Sequence, residues 1–380
     1  MRIAFIAPLK RPITPETTVS RNRVITELAQ GLIKDGHQVS IFGTSDSRLP
    51  GATIIPVIPK GLNFLPPTEN EFYTHTAYIA HATAEVLRQQ QDFDLIHNHM
   101  FPEFIPLLAL RWFTTPFVTT VHAQITPELR MALSDVRGLQ KTVYVCISES
   151  ARKRLALSAE LVYNGIDATF YTPNEQKSGD YLLFVGRMGK AKDTKGKFLD
   201  AKGVTDAIAT AEKLGQTLKI AGNIEDNKFY EIFVKPHLSG TINLVSEIAP
   251  EQKMSREQIR TLYQDAKAFL FPIRWEEPFG LVMIEAMACG TPVIAYNRGS
   301  VSEIVRDGIT GFIIDPDDAP RPKKGSWVIK KQGIEGLVEA IKRIGEIDRK
   351  ITRKHVEENF TIEKMVAGYE EVYKKVIEKK

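Results

Sequence analysis

The 380-residue chain has only two cysteines, three tryptophans and no long apolar run. Cys146 and Cys289 lie in separate apolar stretches, without the spacing of a metal site or a disulfide framework, which favours a reducing compartment. The apolar stretch at residues 3–7 is too short for a secretory signal, and no run approaches the roughly 18 residues of a membrane span. The sequence therefore predicts a cytoplasmic protein without membrane-spanning segments.

A strong excess of charge of either sign is also lacking. The 50 Lys and Arg residues nearly balance 46 Asp and Glu residues, which leaves a formal net charge of +4. This excess is too small to predict nucleic-acid binding, but it suits an anionic ligand or an anionic membrane surface. We expect no nucleic-acid partner, and we leave open a peripheral contact with the inner face of the membrane and the oligomeric state.

Short apolar runs alternate with amphipathic stretches along almost the whole chain. This alternation is typical of parallel sheets covered by helices on both faces. It pauses at the polar stretch 172–180 and then starts again, so we predict two Rossmann-like, doubly wound α/β domains at 1–170 and 171–361. A last helix within 362–380 follows, and the N-terminal domain is one partner on which it would pack. The predicted strands are 3–7, 39–42, 53–58, 95–97, 117–121, 144–147, 161–163, 181–185, 218–221, 242–245, 268–271, 292–295 and 312–314.

The most informative segment, residues 275–290, joins a strand end to a helix. From Leu281 to Cys289 every residue is apolar or small except Glu285, so this helix should be buried nearly all round, and its carboxylate must find hydrogen-bond donors. Proline at 278 favours an extended Glu277 at the ligand side of the sheet. Gly280 permits a close approach of backbone, and free amides at the helix start would face a phosphate.

Each acid has an alternative explanation. Glu285 would pair with an Arg or Lys in the core, and Glu277 would be a solvated loop acid. Two acids that bracket a Pro-Phe-Gly turn are harder to explain in this way. Here the sequence resembles the retaining family 4 glycosyltransferases of the GT-B fold, in which two glutamates stand with seven residues between them. The resemblance implies two domains that face each other across a cleft, with Phe279, Gly280 and Leu281 beside the donor.

The resemblance extends over roughly residues 1–312. Gly186-Arg187 and Lys202-Gly203 match the family's paired cations for the donor diphosphate, and Asn164 opens a stretch similar to its domain-linker motif. The insertion 188–201 separates the two cations, so Lys195 is an alternative to Lys202. We prefer Lys202 because a helical stretch follows it directly. Glu285 is then expected on the ribose hydroxyls, and Glu277 on the sugar hydroxyls.

In the first domain, His122 follows an apolar strand and matches the family histidine beside the transferred sugar. A capping or packing role is its alternative. His97, His99 and Asn164 are expected to line the pocket, the last two on the acceptor side. The loop at 10–20 should overhang the cleft, but Val19 and Ser20 replace two adjacent glycines of the family, so hydroxyls such as that of Ser20 would contact the diphosphate instead.

A metal site is the main alternative interpretation of the polar residues in this half of the chain. Asp92-Phe93-Asp94 has the Asp-x-Asp pattern of metal-dependent glycosyltransferases of another fold, but it precedes a strand and would lie at the amino edge. We therefore expect no metal or other cofactor. The Gly-x-Gly-x-x-Gly turn is missing after the first strand of either domain, which makes a dehydrogenase a weak alternative.

The resemblance implies a retaining, metal-independent hexosyltransferase that acts on a nucleotide-sugar. The approach to the motif at 271–275 favours UDP-glucose over GDP-mannose. The acceptor is left open among small molecules, glycans and lipids. Alternatives are a mannosyltransferase of the same family, a sugar-nucleotide epimerase of the same fold, and a non-catalytic sugar-binding module. The presence of Glu277, Glu285, Arg187 and His122 argues against the last.

Overall fold

The protein, analysed as a computed structural model, forms two compact units. The structure describes residues 1–136, 142–174, 179–189, 191–246, 254–317 and 326–378. Unit 1 comprises Met1–Ile166 and Thr361–Lys380, and unit 2 comprises Asp167–Phe360. The chain thus leaves unit 1 after Ile166 and returns to it at Thr361, whereas the sequence placed the divisions at 170 and 361. Residues 175–178 of the predicted linker and residue 190 of the insertion lie outside the described part.

Unit 1 contains a parallel seven-stranded sheet in the order β3-β2-β1-β4-β5-β6-β7. The central strands are buried on both faces, because helices cover the sheet on each side. The strands are β1 (Arg2–Ile6), β2 (Gln38–Thr44), β3 (Thr53–Ile58), β4 (Leu95–Asn98), β5 (Phe117–Val121), β6 (Thr142–Cys146) and β7 (Ala159–Leu161). The helices are α1 (Ser20–Lys34), α2 (Glu71–Gln89), α3 (Pro127–Val136) and α4 (Glu149–Leu155), with a 3₁₀ segment at Pro106–Trp112.

Unit 2 contains a parallel six-stranded sheet in the order β12-β11-β8-β13-β14-β15, and a separate two-stranded hairpin. The sheet strands are β8 (Tyr181–Val185), β11 (Leu218–Ala221), β12 (Ile242–Leu244), β13 (Ala266–Phe271), β14 (Val293–Tyr296) and β15 (Gly311–Ile314), and the hairpin strands are β9 (Ala191–Lys192) and β10 (Phe198–Leu199). The helices are α5 (Val204–Leu214), α6 (Asn227–Phe233), α7 (Arg256–Gln264), α8 (Leu281–Ala288), α9 (Val301–Ile304), α10 (Gly333–Lys342) and α11 (Arg349–Asn359).

The last helix, α12 (Ile362–Glu378), completes unit 1. It crosses α1 so closely that a Cβ on Gly31 would lie 2.4 Å from Val366 Cγ2. Tyr369 and Tyr373, both 0% exposed, carry its inner face into the unit. The sequence analysis named the N-terminal domain as one partner but did not identify α1, because an amphipathic pattern shows which face is buried but not what covers it.

The strand orders define one ligand edge in each unit. In unit 1 the order reverses between β1 and β4, and in unit 2 it reverses between β8 and β13. Open α/β sheets bind ligands at the carboxyl ends of the strands beside such a reversal. The prediction of two Rossmann-like α/β domains is therefore confirmed. Within the described ranges, no helix combines the length and apolar character needed to cross a bilayer.

Candidate functional site

At the ligand edge of unit 2, the segment after β13 places Glu277 in direct contact with a lysine. Glu277 Oε2 accepts hydrogen bonds from Lys202 Nζ at 2.6 Å and from Trp275 Nε1 at 3.0 Å. The Lys202 ammonium also lies 4.7 Å from the centre of the Trp275 ring. The Lys202 and Glu277 side chains are only 18% and 13% exposed, so solvent screens this ion pair weakly. The sequence singled out both charged residues but not their contact.

Close backbone approaches hold Lys202 in this position. The N–H of Arg274 donates to the carbonyl oxygen of Ala201 at 3.0 Å. At Gly203 φ is +80°, and a Cβ there would lie 1.9 Å from the carbonyl oxygen of Pro272, so glycine is required. The residues on both sides of Lys202 are thus fixed against the end of β13.

The insertion 188–201 contains the β9–β10 hairpin. Phe198 packs against Phe229 with the ring centres 5.7 Å apart. Lys195 lies in the turn of this hairpin, where its backbone N–H donates to Asp193 Oδ1 at 2.9 Å. Of the two lysines that the sequence left as alternatives, the structure brings Lys202 to Glu277.

The backbone around Glu277 is fixed by the loop after β14. The Ser300 N–H donates to the Glu277 carbonyl oxygen at 3.1 Å, and the Ser300 hydroxyl donates to the Phe279 carbonyl oxygen at 2.6 Å. Glu276 Oε2 accepts from the Gly299 N–H at 2.7 Å. These contacts tie the predicted Pro-Phe-Gly turn to the loop after β14, and Phe279 is buried.

Helix α8 begins directly after this turn, without a side chain at its N-terminal cap. Gly280 precedes it with a φ of +84°, and Leu281 is its first residue. The first amides of a helix lack intrahelical acceptors and carry the positive end of its dipole. One turn further, Glu285 is 3% exposed, and its Oε2 accepts from the Tyr263 hydroxyl at 3.1 Å. Sequence reasoning missed Tyr263, because its partner lies on another helix.

Arg187 follows β8, on the other side of the strand-order reversal. Its side chain is 49% exposed and its Nη1 lies 3.2 Å from Glu225 Oε1. Such an exposed pair is weak, so the guanidinium is easily redirected. A Cβ on Gly186 would lie 3.4 Å from Lys202 Cβ, which shows how near the Arg187 backbone is to Lys202.

At the ligand edge of unit 1, His122 follows β5 and contacts a second histidine. Its Nε2 lies 2.9 Å from His99 Nδ1, and the His99 ring packs against the His97 ring with centres 3.8 Å apart and planes tilted by 42°. His122 is 9% exposed, whereas His97 and His99 are 0% exposed. His97 and His99, which the sequence analysis expected to line a pocket, are instead fully buried in the core of unit 1.

Burial keeps this histidine cluster neutral. Desolvation, with repulsion from Arg21, lowers the pKa of His99 to about 3. Desolvation and neighbouring histidines also bring the pKa values of His97 and His122 well below the usual range. The cluster extends to α12, since His97 Nδ1 lies 2.7 Å from the Tyr373 hydroxyl. Near neutral pH, His122 is thus an uncharged hydrogen-bonding group.

Ser20 is the exposed first residue of α1, whose start has no side-chain cap. The sequence analysis did not single out the next residue, Arg21. Its Nη2 donates to Glu103 Oε1 at 3.0 Å. Burial raises the pKa of Glu103, although Arg21 opposes this shift. A charged residue in the first helical turn beside the ligand edge is a signal that could have identified Arg21, but Glu103 had none.

Asn164 lies where the chain leaves unit 1. It is 3% exposed, and its Oδ1 is buried without a hydrogen-bond partner among the described residues. The adjacent Gly165 would place a Cβ 2.1 Å from the Thr361 carbonyl oxygen, at the start of α12. Asn164, predicted on the acceptor side, is thus a buried junction residue.

Asp94 lies at the amino edge of the unit 1 sheet, as the sequence indicated. It accepts hydrogen bonds from the Arg2 backbone N–H at 2.8 Å and from Arg2 Nη2 at 3.0 Å. Among the described residues, no group of three or more His, Cys, Asp and Glu side chains is arranged to hold a metal ion.

Comparison with known proteins gives matches over both units. The family described as Glycosyl transferases group 1 matches residues 167–326, and that described as Glycosyltransferase Family 4 matches residues 22–170. Spore coat protein SA of Bacillus subtilis (strain 168) is 24% identical, over 99% of this chain and 100% of that protein.

Solved structures share the fold. Sucrose-phosphate synthase from Thermosynechococcus elongatus aligns with a TM-score of 0.76 at 19% identity, and the alignment covers 100% of both chains. The Anabaena protein HepE in complex with UDP-glucose aligns with a TM-score of 0.68 at 15% identity, over 99% of this chain and 100% of that one. These neighbours show the GT-B fold.

Proposed function

The chain belongs to the family 4, group 1 glycosyltransferases, and from that premise we propose that it transfers a hexosyl group from a nucleotide-sugar to a hydroxyl acceptor, with retention of configuration and without a metal. Unit 2 binds the donor and unit 1 binds the acceptor. UDP-glucose is the favoured donor. The approach to the Glu277 turn supports it, as does the structural likeness to HepE, which was solved with UDP-glucose.

The donor diphosphate is held by cations and amides at the reversal in unit 2. Lys202 has three N–H donors, of which Glu277 takes one, so it can also bind a phosphate oxygen. Arg187 is diverted cheaply from its exposed partner. The uncapped start of α8 adds backbone amides aimed at an anion. These groups neutralise the departing nucleoside diphosphate, which is why no metal is needed.

The two glutamates have separate roles. Glu285 accepts hydrogen bonds from the ribose hydroxyls, with Tyr263 orienting its carboxylate. Glu277 lies beside the sugar, where its negative charge stabilises the positive charge that develops at the anomeric carbon. Lys202 thus connects the sugar carboxylate and the diphosphate.

No protein nucleophile takes part. The bond between the anomeric carbon and the phosphate oxygen breaks, and the acceptor oxygen bonds to the same face of that carbon. The acceptor proton passes to the leaving phosphate oxygen. Neutral His122 lies beside the transferred sugar as a hydrogen-bonding group, held in place by His99.

The Lys202–Glu277 ion pair at 2.6 Å carries this proposal, because it joins a cation and an acid at the ligand edge of unit 2. The test incubates the protein with UDP-glucose or GDP-mannose and a panel of hydroxyl acceptors, and assigns the product anomer by proton NMR. An α-linked product from an α-linked donor supports the proposal. An inverted product contradicts it, and a changed nucleotide-sugar without any glycosylated acceptor indicates an epimerase.

A further inference from the structure

Two cations lie over one exposed ring at the ligand edge of unit 1, and a third is adjacent to one of them in the chain. Arg11 Cζ lies 5.4 Å and Lys60 Nζ lies 5.9 Å from the centre of the Phe64 ring, which is 47% exposed. The loop after β1 and the loop after β3 are joined here, since the Asn63 N–H donates to the Lys10 carbonyl oxygen at 3.1 Å. We call Lys10, Arg11 and Lys60 the basic rim.

Lys10 of the basic rim lies over a second exposed ring, which is near the strand-order reversal between β1 and β4. Lys10 Nζ lies 5.6 Å from the centre of the Phe101 ring, which is 41% exposed and follows β4. Arg21 Cζ lies 4.8 Å from the same ring, but Arg21 already has Glu103 as its partner. The basic rim therefore begins beside the proposed site and continues across the carboxyl edge of the sheet.

The cations of the basic rim lack acidic partners among the described residues. Arg48, an exposed arginine of the same unit, does have such a partner, since its Nη2 lies 3.0 Å from Glu16 Oε2. Asp46 accepts from the N–H of Gly61, next to Lys60, at 3.4 Å, but among the described residues it forms no ion pair with a cation of the basic rim. Like charges held together repel each other, and a ligand with negative charge relieves that repulsion.

We propose that the basic rim binds a phosphate group of the acceptor. The acceptor is then an anionic molecule whose phosphate contacts Lys10, Arg11 and Lys60 while its hydroxyl receives the sugar. This rests on the proposed function, in which unit 1 binds the acceptor. The donor diphosphate does not need these cations, because Lys202, Arg187 and the α8 amides serve it in unit 2. The phosphate belongs either to a soluble phosphorylated molecule or to a phospholipid headgroup.

The test compares two double variants that remove the same charge. Arg11→Gln/Lys60→Gln removes two cations of the basic rim. Lys34→Gln/Arg111→Gln is the matched control: Lys34 ends α1 away from the ligand edge, and Arg111 lies 5.7 Å from the centre of the exposed Trp112 ring. Binding of inorganic phosphate is followed by ³¹P line width with UDP saturating the donor site. Flotation with phosphatidylcholine vesicles, with and without phosphatidic acid, is the lipid arm.

The wild type and the control should broaden the phosphate signal, and the dissociation constant should rise at least about tenfold in the rim variant, because charge-assisted hydrogen bonds are lost. Added salt should weaken binding. If the wild type floats with vesicles that contain phosphatidic acid and the rim variant does not, the phosphate belongs to a phospholipid headgroup. Phosphate binding without flotation identifies a soluble phosphorylated molecule. No phosphate binding by the wild type, or an equal loss in the control, overturns the proposal. UDP affinity, measured in the same samples, tests the proposed function separately.

Discussion

Replacing Glu277 by Gln should raise the affinity for UDP while it lowers the turnover of the donor. The structure gives the reason: Glu277 accepts from Lys202 at 2.6 Å, so the negative charge of the carboxylate offsets part of the ammonium charge that attracts the diphosphate. An amide keeps the shape and still accepts from Trp275, but it no longer offsets the ammonium charge. The perturbation therefore separates nucleotide binding from catalysis.

The magnitudes follow from charge and exposure. Both side chains are under one-fifth exposed, at 18% and 13%, and freeing Lys202 from such a pair should contribute about 1 kcal/mol, or about fivefold tighter UDP. A carboxylate about 5 Å from a unit positive charge, such as the one that develops on the sugar, stabilises it by about 3 kcal/mol at an effective dielectric constant of about 20. The positive charge of Lys202 offsets part of this stabilisation, so kcat of the variant should fall by about tenfold to a hundredfold.

The assay pairs calorimetry with UDP and initial rates at saturating donor, with Glu285→Gln as the matched variant. Glu285 is 3% exposed and is expected to hold the ribose alike in ground and transition states. Its loss should weaken UDP binding by about tenfold to a hundredfold and change kcat less. Equal losses of UDP affinity in both variants would refute the assignment of the two roles.

Other outcomes follow from the same contacts. Lys202→Met should weaken UDP binding by about tenfold or more, whereas Lys195→Met, in the hairpin turn, should bind UDP normally in the same titration; an equal effect would favour Lys195. EDTA should leave transfer rates unchanged, and abolition with rescue by one divalent ion would show that a metal takes part. Because burial depresses the pKa of His99 to about 3 in the fold, below the roughly 6.5 of an unfolded chain, stability is full above about pH 6.5 and falls as the pH is lowered. Urea unfolding from pH 7 to 5 should show this loss, and His99→Asn should reduce its slope; the same slope in both proteins would mean that His99 is not a source of it.

The sequence predicted the features that depend on short stretches of the chain. Glu277, Glu285 and His122 stand next to strands or in a buried helix, and strand periodicity shows which ends of a parallel sheet they occupy. The contacts of these residues depend on chain folding over long separations. Tyr263 contacts Glu285 from another helix, and Lys202 contacts Glu277 over a separation of 75 residues. No local pattern contains those pairings, so they could not be predicted.

The same limit explains the corrections. His99 and Asn164 follow polar patterns at strand ends, which are typical of pocket residues, yet both are buried. His99 packs against His97, and His97 is in turn covered by α12, to which it is hydrogen-bonded through Tyr373. Exposure at a strand end thus depends on a helix that is remote in sequence.

The return of the chain to unit 1 at Thr361 has a consequence for synthesis of the protein. Unit 2 is one uninterrupted segment, Asp167–Phe360, whereas unit 1 needs α12 from the end of the chain. A nascent chain emerging from the ribosome therefore holds all of unit 2 before it holds the helix whose Tyr369 and Tyr373 close the core around His97. The half of the enzyme that is translated first is completed last, and a chain that stops at Phe360 lacks a part of its N-terminal unit.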